Sequence, residues 1–527
     1  MVKQGDALSL ILMTASICLL ITSVHLSIIQ LFRNTVSLNL NAVSLGVFST
    51  LNPAYAVGLI LIIASALLAK SRVLRGIALT LLVTYLAGYT MLLSPYPAFY
   101  VDAVTYSHQS TIVSKLMFFS RFGSMIYNGG LNPTAFTWEA TILDVIRVPA
   151  LNISAAYGLL EPILLSLVSL AVAIRLSKLS KGINAYYVIT AVVAYTALIW
   201  SYQLHFCPQD FNIMIYALTI PPLLIVINNS LDAVAMLGIV VAALTIGHPT
   251  EIPLLFASSI VMLILTTRRL NRLFLKPAIA LIIALTSALA WMSYNAYVFI
   301  INVPILTYLI TPQALWRLLT LIVNPFRLIN AWISMIEPNA YPLRYLINLI
   351  DIYGGFILEL TEAVVAVILI VGFMVRGIDN DAEPIYASIA LGGVIVTIAL
   401  TLVFLIMYSD RMPIYTAPVL GGLIAYHLNR RLRRGYLALA ILIPMSLLSL
   451  LIAGSILYWE YGYADPVSYA SNALLQGLHM NGTSCSNNNN VFTIATYSMH
   501  QYIEVVNSIH SSSIVYYDGI DYCTLNS

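Results

Sequence analysis

The sequence contains little charge: only 9% of its 527 residues are Asp, Glu, Lys or Arg, whereas 60% are hydrophobic. Soluble domains have about 25% charged and about 45–50% apolar residues. A soluble fold of this length has too little interior to hold the excess, so apolar side chains must face lipid. The net charge of +3, without a long basic run, argues against a nucleic-acid partner.

Cysteine is also scarce, with four residues in the chain. Cys18 lies in the first apolar run and Cys207 near a helix end, whereas Cys485 and Cys523 lie in a polar C-terminal tail. On an outer membrane face these last two are placed to form a disulfide, the alternative being two unpaired thiols in a flexible tail. The first apolar run, which ends at Phe32, exceeds the roughly 7–15 residues of a signal-peptide core, so we expect a retained helix.

Long apolar runs are what the sequence has most of. A helix needs about 20 apolar residues to cross the hydrocarbon core of a bilayer, and runs near this length recur along the chain. They predict an all-α polytopic membrane protein with about thirteen transmembrane helices. The predicted spans are about 7–32, 51–69, 76–94, 154–174, 184–203, 211–227, 231–247, 252–266, 277–300, 354–375, 384–407, 413–428 and 436–458.

Basic residues are distributed unevenly between the connections. With the N-terminus inside, the short inner loops hold 16 Lys and Arg residues and the longer outer segments hold 8. Cytoplasmic loops carry such an excess, which predicts a multi-pass protein of the cell membrane with its N-terminus inside and its C-terminus outside. Two long segments, about 95–153 and 301–353, then lie outside, and their aromatic and short amphipathic stretches predict interfacial helices.

The outer tail, from about 459 to 527, is polar and rich in Asn and Ser. Weak alternation near Val491–Tyr497 and Ser513–Tyr517 predicts some short strands there. The chain therefore divides into three parts. These are two N-terminal helices in residues 1–75, a core with both long outer loops in residues 76–458, and the outer tail in residues 459–527.

Ionisable residues are costly at membrane depth, so each is a candidate functional residue. Most of them lie on the predicted outer side, in four clusters. In the first, Asp102 and His108 follow the third helix. A carboxylate there can act as a general base or hold a divalent cation, the alternative being a helix cap or an ion pair with Lys115.

The other three clusters stand at helix junctions. His205 and Gln209 flank a proline that suits the first turn of the next helix. His248 and Glu251 follow one hairpin later and could bind a metal or a sugar, although a lone histidine is more often structural. Arg411 precedes the twelfth span; its guanidinium suits a phosphate, the alternative being an ion pair with the preceding aspartate, which is worth little in water.

The order of these clusters resembles the GT-C superfamily of membrane glycosyltransferases, which take a sugar from a lipid-phosphate carrier. The resemblance covers roughly residues 76–458, and a second long outer loop at about 301–353 fits it. The motifs that carry it are Val101-Asp102, Asn152 to Pro162, Cys207-Pro208-Gln209-Asp210, Gly247-His248-Pro249-Thr250 and Asp410-Arg411 before Met412-Pro413.

The resemblance implies an enzyme that moves a sugar from a polyprenyl-phosphate carrier to an acceptor on the outer face, with the lipid-linked donor and membrane lipids as partners. Asp102 would take the acceptor's proton and Arg411 would bind the carrier phosphate. Mg²⁺ or Mn²⁺ is a candidate cofactor with Asp102 as ligand, but no Asp-x-Asp pair accompanies it, which leaves a metal requirement open. The residues expected to bind substrate with Arg411 are His108, His205, Gln209, His248 and Glu251.

Two other functions stay open. A lipid or solute transporter would carry ionisable residues near the middle of its helices, whereas Glu161 and the few other acids of the predicted spans lie near outer ends. A non-catalytic scaffold with the same fold would lack acidic partners for Asp102. Glu139 and Asp144 are the other acids of that loop.

Overall fold

The described part of the chain is a helical bundle with a small sheet near its C-terminus. A computed structural model describes residues 4–37, 53–93, 110, 133–147, 150–177, 185–198, 208–227, 230–248, 251–266, 275–294, 311–313, 316, 320, 364, 382–404, 412–431, 435–460, 503–508, 511–517 and 522–524. The helices are α1 (Gln4–Ser37), α2 (Pro53–Leu68), α3 (Arg72–Leu93), α4 (Pro133–Ile146), α5 (Ala150–Ser177), α6 (Ala185–Leu198), α7 (Pro208–Val226), α8 (Leu231–Gly247), α9 (Glu251–Thr266), α10 (Leu275–Tyr294), α11 (Glu383–Phe404), α12 (Met412–Arg431) and α13 (Gly435–Glu460).

These helices occur where the apolar runs predict them. Twelve of the thirteen predicted spans coincide with a helix, and of the other, 354–375, the structure describes one residue. Within the described ranges, three helices are long and apolar enough to cross a membrane, at Gly5–Ser23 in α1, Leu160–Ser177 in α5 and Gln209–Val226 in α7. Shorter apolar helices of 10–17 residues accompany them in α2, α3, α6, α8, α9, α11 and α13.

The tail contributes three antiparallel strands in the order β1 (Ile503–Ser508), β2 (Ser511–Tyr517) and β3 (Tyr522–Thr524). Strand β2 includes the predicted strand at Ser513–Tyr517, whereas Val491–Tyr497 lies outside the described residues. In β1 and β2, Val505 pairs with Ile514, so the two strands form a hairpin.

Local chemistry determines where several helices begin and end. Pro53, Pro133 and Pro208 each occupy the first position of a helix, where a missing N–H costs nothing. The Ser230 side chain accepts from the N–H of Ala233 at the start of α8, an N-cap. Arg147 ends α4 in the left-handed region, with a φ of 59°, and its N–H donates to the carbonyl oxygen of Leu143.

Small residues let the helices approach closely. A Cβ at Gly392 of α11 would overlap Ser258 of α9. A Cβ at Gly422 of α12 would lie 2.5 Å from both the carbonyl oxygen of Ser169 and the Cβ of Val172, on α5. Such close approach at small residues is typical of helices that associate in apolar surroundings.

Hydrogen bonds join the first three helices. The Ser16 hydroxyl of α1 donates to the carbonyl oxygen of Gly58 on α2 over 2.7 Å, and the Tyr55 hydroxyl of α2 donates to the carbonyl oxygen of Tyr85 on α3. Asp6 accepts from two backbone N–H groups at the turn between α2 and α3. The two N-terminal helices therefore pack directly on the third.

The two ends of the bundle differ in chemistry. At one end, Lys276 donates to the carbonyl oxygen of Ile225, Arg430 donates to the hydroxyl of Tyr426, and Arg175 interacts electrostatically with a tyrosine of α11. We call this the basic end. The other end, where α7, α9 and α12 begin and α8 and α6 finish, we call the site end.

Replacing Gly422 with alanine tests the packing of α12 on α5. The added methyl group would clash with backbone as well as with Val172, and we expect the protein to lose about 1–3 kcal/mol of stability. The control is Gly238→Ala in α8, where a Cβ meets nothing within 4 Å and alanine favours the helix by about 0.5–1 kcal/mol. Thermal unfolding in detergent measures both; equal effects would contradict the packing.

Candidate functional site

The first part of the site is the start of α7. Pro208 begins this helix, which places Gln209 and Asp210 in its first turn, where the helix dipole favours negative charge and hydrogen-bond acceptors. Both side chains are buried, at 3% and 0% exposure. The Nδ2 of Asn212 donates to the carbonyl oxygen of Leu244 over 2.8 Å, which fastens the start of α7 to the end of α8.

The end of α8 packs closely against Asn212. A Cβ at Gly247 would overlap the amide group of Asn212, so a larger residue here would displace that side chain from its bond to Leu244. His248 follows in an extended conformation as the C-cap, and its N–H donates to the carbonyl oxygen of Leu244 over 2.9 Å. The histidine singled out in the sequence therefore stands where α8 ends, beside the start of α7.

Glu251 begins α9 at the same end and is fully buried. Its carboxylate accepts a hydrogen bond from the hydroxyl of Tyr415, one turn into α12. The ring of Tyr415 in turn meets Tyr216 of α7 edge to face, with 5.9 Å between centroids. These contacts join the starts of α9 and α12 to each other and α12 to the middle of α7.

Aromatic rings pack α4 against the other helices at the site end. The ring of Trp138 lies 5.0 Å from that of Phe211 and 6.1 Å from that of Tyr157, between centroids. The Thr134 hydroxyl donates to the carbonyl oxygen of Ala243 on α8 over 3.3 Å. The helix α4 therefore lies against α5, α7 and α8 beside the predicted motif residues.

A cavity of about 500 Å³ opens between α4 and α8. Its size falls in the usual range for small-molecule sites, which combine apolar and aromatic walls with a few polar groups. Three hydroxyl groups and one indole ring offer both hydrogen bonds and a flat apolar face. The lining residues are Thr134, Thr137, Trp138, Thr141, Ile142 and Ile246.

The structure thus brings together Gln209, His248 and Glu251 at the site end. The other predicted site residues lie outside the described residues, except that Cys523 lies in β3; these are Asp102, His108, His205, Arg411 and Cys485. In the described part of the chain no group of three or more His, Cys, Asp or Glu side chains is placed to hold a metal. The divalent cofactor at Asp102 stays a prediction.

Sequence reasoning missed the cavity lining and Tyr415. The threonines at 134, 137 and 141 recur at helical spacing around Trp138, and this pattern indicates that the four residues share one face of a helix. The partner of Glu251 had no such signal, because Tyr415 is 164 residues away in the chain.

No protein-family model matches the chain, and no curated protein sequence matches it. The resemblance to membrane glycosyltransferases therefore stays a prediction drawn from the motifs.

Substituting Tyr415 with phenylalanine tests the bond to Glu251. The variant removes one donor to a carboxylate that stays buried, and we expect it to lose about 1–3 kcal/mol of stability. A double-mutant cycle with Glu251→Met, measured by thermal unfolding, should give a coupling energy above about 0.5 kcal/mol. Additive single effects would contradict a direct interaction between the two side chains.

Proposed function

We propose that this chain is a multi-pass membrane glycosyltransferase that moves a sugar from a polyprenyl-phosphate carrier to an acceptor on the outer face. The observation that carries the proposal is the shared location of buried Gln209 and Glu251 with the threonine- and tryptophan-lined cavity, all at the site end of an apolar bundle. About thirteen helices would cross the membrane, with the N-terminus inside and the site end outside.

The distribution of charge supports this orientation. The basic end includes the side chains of Arg175, Lys276 and Arg430, each of which interacts with a residue there. Cytoplasmic surfaces are enriched in such residues. With the basic end inside, the site end faces outward, where a lipid-linked donor flipped to the outer leaflet would meet its acceptor.

The cavity supports a sugar as the bound group. The indole ring of Trp138 is partly exposed in the cavity and can stack on the apolar face of a pyranose. The side chains of Thr137 and Thr141 are exposed along the same side of α4. The apolar helices beside the cavity provide a surface for the polyprenyl tail of the donor.

In the proposed reaction Asp102 accepts the proton of the acceptor hydroxyl as its oxygen attacks the anomeric carbon. The bond between that carbon and the phosphate oxygen breaks, and its electron pair leaves with the carrier phosphate. Arg411 offsets the charge that builds on this leaving group. Gln209, His248 and Glu251 position the sugar, together with His108 and His205.

One observation favours a transporter as the alternative. Glu161 of α5 and Asp210 of α7 are both fully buried and interact electrostatically, and buried carboxylates are typical of ion-coupled carriers. A transporter would move its substrate across a vesicle membrane without cleaving it, whereas a transferase releases the carrier phosphate. A scaffold would do neither.

Substituting Asp102 with asparagine tests the transferase directly. Purified protein in liposomes receives radiolabelled polyprenyl-phosphate hexose and a membrane extract as acceptor. The wild type should transfer label, and the variant should be slower by about 10²–10⁴-fold, the usual contribution of a general base. The matched control, Asp144→Asn at an exposed position of α4, should keep the wild-type rate.

Equal rates for the wild type and Asp102→Asn would remove Asp102 from the mechanism. If the wild type carries intact donor across the liposome membrane and releases no carrier phosphate, the transferase proposal is wrong.

The sugar cavity is tested by Trp138→Ala and Trp138→Phe in the same assay. Loss of the ring should raise KM for the donor several-fold with a smaller change in kcat, because stacking acts in the ground state and in the transition state alike. Phenylalanine keeps a ring and the contact with Phe211, so it should restore most of the affinity. An unchanged KM in Trp138→Ala would place the sugar elsewhere.

A further inference from the structure

Glu161 and Asp210 form an acidic pair inside the bundle. They belong to α5 and α7, both are 0% exposed, and they lie close enough to interact electrostatically. Two buried carboxylates repel each other and lose their hydration, which is costly unless a positive charge offsets them.

A third buried side chain interacts with the pair. Tyr195 of α6 is 2% exposed and interacts electrostatically with both carboxylates. Among the described residues its hydroxyl has no hydrogen-bond partner, and neither does either carboxylate oxygen of Glu161. Buried polar atoms are rarely left in this state, and an ion or ordered water is a usual reason.

The backbone of α5 adds a further oxygen. Pro162 lies inside this helix and has no N–H, so the carbonyl of Gly158 loses the hydrogen bond that the helix would otherwise give it. Gly158 is three residues before Glu161 and so lies on a neighbouring part of the same helix face. This carbonyl therefore adds one oxygen acceptor on the α5 side of the pair.

We propose that Glu161, Asp210 and Tyr195 bind a hard divalent cation such as Mg²⁺, Mn²⁺ or Ca²⁺. These ions take oxygen ligands from carboxylates, carbonyls and water, and a charge of +2 offsets both carboxylates. A single shared proton would serve one oxygen of Glu161 and leave its other oxygen and the Tyr195 hydroxyl unmet. The proposal concerns residues other than Asp102 and does not depend on the chain being a transferase.

The experiment measures binding to the full-length protein in detergent after chelator treatment. Equilibrium dialysis with Mn²⁺, read by electron paramagnetic resonance, should show Mn²⁺ bound to the wild type and one fewer ion per chain bound to Glu161→Gln. Thermal unfolding should show a saturable rise in Tm with added metal for the wild type only. Without metal, Glu161→Gln should be at least as stable as the wild type, because it removes the repulsion.

Two further variants separate ligand loss from general damage. Tyr195→Phe removes one oxygen ligand and should weaken Mn²⁺ binding several-fold without abolishing it. Glu383→Gln changes a buried acid at the basic end, where Glu383 lies 3.5 Å from His427, and should keep the wild-type metal response.

The proposal is overturned if the wild type and Glu161→Gln bind equal amounts of Mn²⁺, or if no tested metal changes the Tm of the wild type. It is also overturned if metal has no effect while acidification stabilises the wild type and not Glu161→Gln. That last result would assign a proton to the pair.

Discussion

A polar group inside an apolar bundle is costly unless it finds a hydrogen-bond partner, because such surroundings supply little water. The helices meet this constraint for the backbone, and many hydroxyl groups meet it by donating to the carbonyl four residues earlier, as in Thr196, Thr245 and Ser259. Where a side chain bonds across helices instead, as Asn212 does, it determines which two helices meet and at what level.

Small residues make those contacts geometrically available. Gly247 allows the end of α8 to approach Asn212, and Gly392 and Gly422 allow α11 and α12 to approach their neighbours. Because the helix backbones lie close, short side chains such as Ser169 reach a carbonyl on the next helix, that of Ala191, over 2.9 Å. The same closeness brings Tyr415 onto Glu251. The site therefore depends on positions that carry no chemistry of their own.

The sequence predicted the helices well and the site in part. Apolar runs marked α1, α5 and α7, because a run of hydrophobic residues specifies a buried helix through its local composition. The helix α4 was expected only as part of an interfacial segment, since its 14 residues are too few to cross a bilayer. Glu161 was predicted to lie near an outer helix end, and the structure adds that it is fully buried and interacts with Asp210 in the first turn of α7.

Composition by itself determined where the helices lie and which connections carry basic residues, because both depend on neighbours in the chain. The motif order likewise indicated that Gln209, His248 and Glu251 share one end, since successive helices alternate in direction. Only the tertiary structure decided that Glu251 meets Tyr415, that Trp138 lines a cavity, and that Glu161, Asp210 and Tyr195 converge. Those pairings depend on how distant helix faces pack, and hydrophobic periodicity specifies that a face is buried without specifying its partner.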